Sequence, residues 1–167
     1  LSDSEANISA ILRAVTAFKD CQIVVLGGNL DAGGRGILQQ IHRSEAEFKF
    51  WPNLDRDDYL GLLAMASVLV GNSSSGVIET PSLNLPAINI GRRQAGRQCA
   101  ENVLHVPADE AQLRAAIENA LNDREFRDVC RHVTSPYGDG KTAPRVAAAL
   151  ADLDLSPQCR IKRYSPA

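Results

Sequence analysis

Short runs of β-branched and apolar residues alternate along this chain with stretches whose apolar residues recur three and four apart, and that alternation limits the fold more than any other feature. Cys21-Gln22-Ile23-Val24-Val25-Leu26 ends on Gly27-Gly28, and residues 47–51, 67–70, 86–90 and 102–106 read as four further strands. Around them lie helical stripes. Ile8, Ile11, Leu12, Val15 and Phe18 form the first, opened by Ser2-Asp3-Ser4-Glu5 in the form of a capping box and expected to end near Asp20. Asp31 stands where it would cap a second helix carrying Ile37, Leu38 and Ile41; Tyr59, Leu60, Leu62, Leu63 and Met65 predict a third. Residues 77–83 predict a helix that Pro81 keeps short or kinked. Asp109 caps one over 111–121, a shorter one lies near 125–131, and residues 144–153 make the last, after a Pro/Gly turn at 135–140. Strand and helix in regular order with short links describe a doubly wound α/β domain with a mainly parallel sheet. Parallel strands are covered on both faces, and the run ending at Leu26 is apolar enough to be buried that way. The domain is expected over residues 1–155, with a loose, polar and basic tail at 156–167.

Composition closes off several classes of function. At 167 residues, 44% of them hydrophobic, the chain can bury roughly 70% of its unfolded surface around one core. A formal charge of −2 gives no whole-domain field for nucleic acid or a membrane surface, and no apolar run is long enough to span a bilayer. No signal peptide is visible. Cys21, Cys99, Cys130 and Cys159 are scattered without paired spacing, as in reduced thiols of a cytoplasmic protein. His42, His105 and His132 are isolated, so neither a metal nor another cofactor is expected, and no G-x-S-x-G elbow appears. The chain opens at Leu1 on a helix-capping sequence, which reads as part of something longer.

In doubly wound folds ligands lie beyond the carboxyl ends of the strands, so the loops there carry the chemistry. The first loop, residues 27–36, has the spacing of neither a dinucleotide fingerprint nor a P-loop. It reads either as a flexible turn with Asp31 as helix cap or as a rim from which Asn29 touches a ligand. The loop Gly71-Asn72-Ser73-Ser74-Ser75-Gly76 joins a strand to a helix with small residues that let backbone N–H groups approach an anion, while hydroxyls add donors. Glu79 sits in the expected first turn, where a carboxylate can accept from two ribose hydroxyls. The alternative is that the serines only cap the helix and Glu79 answers its dipole. However, three serines exceed one cap, and Ser75 is one residue too far from Glu79 for a capping box. Gly91-Arg92-Arg93-Gln94-Ala95-Gly96-Arg97 alternates glycine with guanidinium, which suits a diphosphate or simply a solvated basic loop.

Residues 70–79, Val-Gly-Asn-Ser-Ser-Ser-Gly-Val-Ile-Glu, resemble the G-N-S-S-x-G-x-x-E segment of hydrolysing UDP-N-acetylglucosamine (UDP-GlcNAc) 2-epimerases. Residues 85–97 are similar to the P-x-I-N-[IL]-G-x-R-Q-x-G-R stretch of that family, and residues 102–106 and 135–140 also resemble family segments, in the family's order. The likeness runs to about Leu155. It implies a fold like the B-type glycosyltransferases, with UDP held between two Rossmann-like halves, of which this chain is the C-terminal one. Carried over by position, Asn29, Tyr59, Ser73, Ser74, Gly76, Glu79 and Arg93 form the UDP site. Ser73 and Ser74 hold phosphate, Glu79 the ribose and Arg93 the diphosphate charge, while Tyr59 lies near the uracil with Asn53-Leu54-Asp55. Ser75 stands where the family varies.

The reaction implied is elimination of UDP from UDP-GlcNAc to a 2-acetamidoglucal, then addition of water to give N-acetylmannosamine, a precursor for sialic acid biosynthesis. Removing the C2 proton needs a base, which the family takes from its N-terminal domain and from a His-Pro segment before the first helix here. The resemblance therefore implies no catalytic residue in this chain, an N-terminal catalytic domain as partner, a homo-oligomer in the full-length protein, and weak UDP or UDP-sugar binding without turnover. Gln39 and His42 stand where animal members carry arginines for a feedback inhibitor, so that regulation is not implied. Residues 76–80 do not match the paired glutamates of the non-hydrolysing enzymes. The other readings compatible with these residues are the nucleotide-binding half of a B-type UDP-sugar glycosyltransferase and a stand-alone nucleotide-binding module without catalysis.

Overall fold

A computed structural model describes residues 2–27, 34–44 and 47–153, which fall into two compact units divided after Pro136. The expected Asp31 cap, Asn29, the side chains of the Ser2–Glu5 capping box and the tail from residue 156 lie outside the described residues. The first unit begins with α1 (Ser2–Val15), β1 (Val24–Leu26), α2 (Gly34–Arg43), β2 (Lys49–Trp51) and α3 (Arg56–Met65). It continues with β3 (Leu69–Gly71), α4 (Ser75–Ile78), a 3-10 helix (Thr80–Leu83), β4 (Ala87–Ile90), β5 (Val103–Val106), α5 (Glu110–Asn122) and α6 (Arg124–His132). Every strand pair is parallel: β1 with β2, and β3, β4 and β5 in that order. The alternating α/β architecture is thus the one the sequence pattern predicts.

The core forms where apolar periodicity is cleanest. β4 is buried at all four residues, and its alternation sends Ile88 and Ile90 to one face and Ala87 to the other. Ile88 and Ile90 pack with Ala14 of α1 and with Leu113, Ala116, Ile117 and Ala120 of α5, whose three- and four-residue spacing makes one stripe. Burying a side chain such as Ile88, 1% exposed, is worth about 1.5–3 kcal/mol. Asp109 caps α5 by accepting from the Gln112 N–H at 2.9 Å, and Asp123 does the same for α6 through Phe126. At the surface Glu110 receives Arg13 at 2.7 Å and Arg114 at 2.8 Å, and the hydrogen bond from Arg13, followed by the Arg114 charge, holds its carboxyl below the usual range.

Two expectations are corrected. α1 stops at Val15 instead of near Asp20, because the bonds from Phe18 N–H to Val15 and from Cys21 N–H to Phe18 replace the helical spacing with tight turns; Phe18 still packs on the core. β1 is half-buried instead of covered on both faces. Its only partner among the described residues is β2, which is itself exposed at Lys49 and Trp51.

The second unit holds α7 (Thr142–Ala151) and the turn before it. Gly138 and Gly140, at φ 105° and 77°, take backbone conformations that side chains disfavour. Asp139 between them accepts two 2.8 Å bonds from Arg145, which hold its carboxyl below the ordinary range. Among the described residues no helix is long and apolar enough to cross a membrane.

Candidate functional site

Parallel pairing sends the loops after β3 and β4 out of the same sheet edge, and the pairing of Gly71 with Asn89 sets residues 72–76 beside residues 91–97. Asn72 and Ser73 are exposed, Ser74 is half-buried, and Ser75 and Gly76 are buried. The Gly76 carbonyl receives the Thr80 hydroxyl at 2.9 Å, and a Cβ on Gly76 would meet Ala87 and Leu69 at 3.9 Å, ordinary contact. Gly76 therefore forms the floor of the loop.

The helix behind this loop differs from the one expected over 77–83. Pro81 has no N–H to donate, so α4 ends after four residues and the chain continues as a 3-10 turn. Gly76 N–H donates to the Ser73 carbonyl, and Val77 and Ile78 N–H both donate to that of Ser74. Among the described residues, the loop N–H groups of Asn72, Ser73 and Ser74 meet no acceptor, and all three lie ahead of the helix itself. So short a helix adds little dipole, so donors for an anion come from these amides and from hydroxyls. Ser73 Oγ accepts from Ser75 N–H at 3.3 Å and keeps its own proton to donate; Ser74 makes no side-chain cap bond. Glu79 is corrected too. It lies at the C-cap of α4 instead of in a first turn, so it does not answer a helix dipole.

Three elements converge on Glu79. Asp55 caps α3 through the Asp58 N–H at 2.9 Å, a cap the sequence reading did not single out, and one turn further in stand Tyr59 and then buried Leu63. α3 packs against the 3-10 turn, bringing Tyr59 to Ser75 and Glu79. Burial pushes the Tyr59 phenol above its ordinary value of 10.0, a hydrogen bond with the Ser75 side chain pulls it down, and the Glu79 carboxylate raises it again. Glu79 Oε2 is itself buried with no partner among the described residues, a deficit of about 1–3 kcal/mol that a ligand hydroxyl could remove. Of the residues singled out from sequence, Tyr59 and Glu79 thus lie close enough for the carboxylate to act on the phenol, with Ser75 beside them. Asn29 lies outside the described residues.

The basic loop turns at Gly91 (φ 73°) and Gly96 (φ 80°). Arg92, Arg93 and Arg97 are exposed, whereas Gln94 between them is only 3% exposed. Its Nε2 donates to the Asn72 carbonyl at 2.8 Å, linking this loop to the serine loop. Sequence reasoning missed Gln94 as a site residue; the signal was an amide among arginines in a loop that otherwise reads as solvated. Two further polar clusters back the site. Asn102 Nδ2 donates to Thr80 Oγ1 at 3.0 Å and to the Leu85 carbonyl at 2.7 Å, and Asn89 Nδ2 lies 3.0 Å from His105 Nδ1. Among the described residues no group of three or more His, Cys, Asp or Glu could hold a metal ion.

Residues 2–151 match the protein family described as UDP-N-acetylglucosamine 2-epimerase. Polysialic acid biosynthesis protein P7 of Escherichia coli is 34% identical over 133 residues, 78% of this chain and 34% of that protein. The UDP-N,N'-diacetylbacillosamine 2-epimerase (hydrolyzing) of Legionella pneumophila is 32% identical over 151 residues, 89% of this chain and 38% of that one. The chain thus spans little more than a third of the length of these relatives. Among solved structures, the S. aureus MnaA-UDP co-structure superposes with a TM-score of 0.69 at 19% identity, over 87% of this chain and 40% of that one. At that identity the likeness establishes the doubly wound fold.

Proposed function

The chain belongs to the UDP-N-acetylglucosamine 2-epimerase family, and from that membership we propose that it is the UDP-holding C-terminal half of a hydrolysing enzyme acting on a UDP-linked 2-acetamido sugar. The diphosphate lies across the Ser73 and Ser74 amides and hydroxyls, with Arg93 adding charge from the neighbouring loop. The ribose hydroxyls donate to Glu79, and Tyr59 flanks the nucleoside end. The observation that carries this reading is the buried, unpartnered Glu79 Oε2 placed behind an open loop of donors. A vicinal diol meets such an oxygen's demand, and free amides meet that of a phosphate.

The reaction removes the C2 proton and expels UDP from C1, leaving a 2-acetamidoglucal; water then adds at C1 while a proton returns to C2 on the opposite face. The products are UDP and, from UDP-GlcNAc, N-acetylmannosamine. This half stabilises the departing diphosphate. The base and acids come from the part of the relatives' length that this chain does not span, so the chain alone binds UDP weakly and turns nothing over.

Calorimetric titration with UDP tests the reading, and Arg93→Ala sharpens it. The substitution is expected to weaken UDP by about 1–2 kcal/mol while leaving uridine nearly unchanged, since the guanidinium serves the phosphates. Equal losses for both ligands remove Arg93 from the diphosphate, and no heat with UDP at millimolar concentration removes the site.

A further inference from the structure

We infer that Gln94 is a positioning residue whose buried carboxamide fixes the direction of the Ser73 N–H and holds the arginine loop in register with it, so that a diphosphate meets both loops at once. The inference rests on the UDP reading above. Its structural half stands without it.

Gln94 is buried in a loop whose neighbours are not: Arg92, Arg93, Ala95 and Arg97 are all exposed. Positive φ at Gly91 and Gly96, with the turn bonds from Ala95 N–H to Arg92 and from Arg97 N–H to Gln94, folds the loop so that this one side chain points inward. It reaches the carbonyl of Asn72, on the loop leaving the adjacent strand. The amide orientation is settled by chemistry: reversing it would set two carbonyl oxygens face to face. A peptide unit is planar and trans, so the Asn72 carbonyl and the Ser73 N–H point in opposite directions. Holding that carbonyl on Gln94 therefore aims the Ser73 N–H away from Gln94, where it meets no acceptor among the described residues and Ser73 is exposed. Gln94 Oε1, meanwhile, is buried without a partner among the described residues. An apolar side chain of similar shape would fill the same space without that deficit, so the amide is there for what its Nε2 holds.

Gln94→Met keeps length and approximate volume and removes the donor. Expected are a loss of about tenfold in UDP affinity with uridine changed less than about twofold, the worth of one misdirected charge-assisted bond. Exchange of the hydrogen-bonded amides of Gly76, Ala95 and Arg97 should quicken in the unliganded chain, while the β4 amides keep their protection. Gln94→Glu, which keeps size and polarity but sets a carboxylate against the Asn72 carbonyl, should show the same pattern more strongly, and it decides the matter if the methionine variant does not fold. Equal losses for UDP and uridine, or unchanged exchange in both loops, overturn the inference. If the unmodified chain takes up neither UDP nor pyrophosphate, the functional reading and the diphosphate role fall together, and exchange alone then decides whether the clasp exists.

Discussion

On one face of β4, Ile88 and Ile90 meet Ala14, Leu113 and Ile117 in an apolar cluster. The other face carries Ala87 against Val77 and Val103, and the polar groups gather along and beyond it: Asn89, Gln94, Asn102, Thr80 and Glu79. Among the described residues, the buried side-chain atoms without a partner are Glu79 Oε2, Asn89 Oδ1, Gln94 Oε1 and Asn102 Oδ1, all within the segment from the serine loop to β5. None belongs to the α1–α5 side. Stability is concentrated where burial is unopposed, and the side that costs free energy to bury is the one that faces the candidate site.

That division breaks most sharply at Ile88. Ile88→Ala should lose about 2–5 kcal/mol in urea unfolding, from lost transfer energy and the cavity left behind, while the folded protein binds UDP as before. A parallel loss of UDP affinity under conditions where the variant is fully folded would show that the faces are not separable. Asn102→Ala comes next, at about 2–4 kcal/mol, because it strips the Leu85 carbonyl of its donor and opens a small cavity. It should also loosen the floor of the loop, since the Thr80 hydroxyl that bonds Gly76 loses its second partner. Faster exchange at the amides of Gly76 and Val77 is the sign; a variant as stable as the parent would mean that the cluster is idle. Glu79→Ala reverses the pattern. UDP should weaken by about 1–3 kcal/mol, with unfolding free energy unchanged or slightly raised because an unpartnered buried oxygen is gone. Unchanged UDP affinity takes Glu79 out of the site.

The same division explains what could be read in advance. Periodicity reports apolar burial, so the α5 stripe, the buried β4 and the order of elements were legible, as were local signals such as Asp109 at a helix start and Pro81 inside one. The serine and arginine loops stood out by composition. Their junction did not, because Gln94 bonds a backbone carbonyl that every residue type carries. Asn102 and Thr80 lie 22 residues apart with no repeat to connect them. Glu79 was placed one turn too early in its helix because the length of α4 depends on where the 3-10 turn begins, which sequence fixes only loosely.

The smallest expected effect lies at the seam between the two regions, on Tyr59. Its phenol is raised above 10.0, with burial as the largest cause and the Glu79 carboxylate adding to it against the Ser75 hydrogen bond. A raised value means that the unfolded chain loses this proton first as pH climbs. Between the ordinary phenol value and the higher folded one, the unfolded state binds fewer protons, so stability is full below about pH 10 and falls as pH rises through that window. Tyr59→Phe removes the ionisable group and should flatten that part of the alkaline stability curve, leaving neutral pH nearly untouched. The ultraviolet difference titration between the parent and Tyr59→Phe should show a phenol ionising above its ordinary range. Adding Glu79→Gln should bring that ionisation down, because a negative neighbour has been made neutral. A Tyr59 titration indifferent to residue 79 would separate the phenol from the carboxylate, and α3 would then have no part in the nucleoside end of the site.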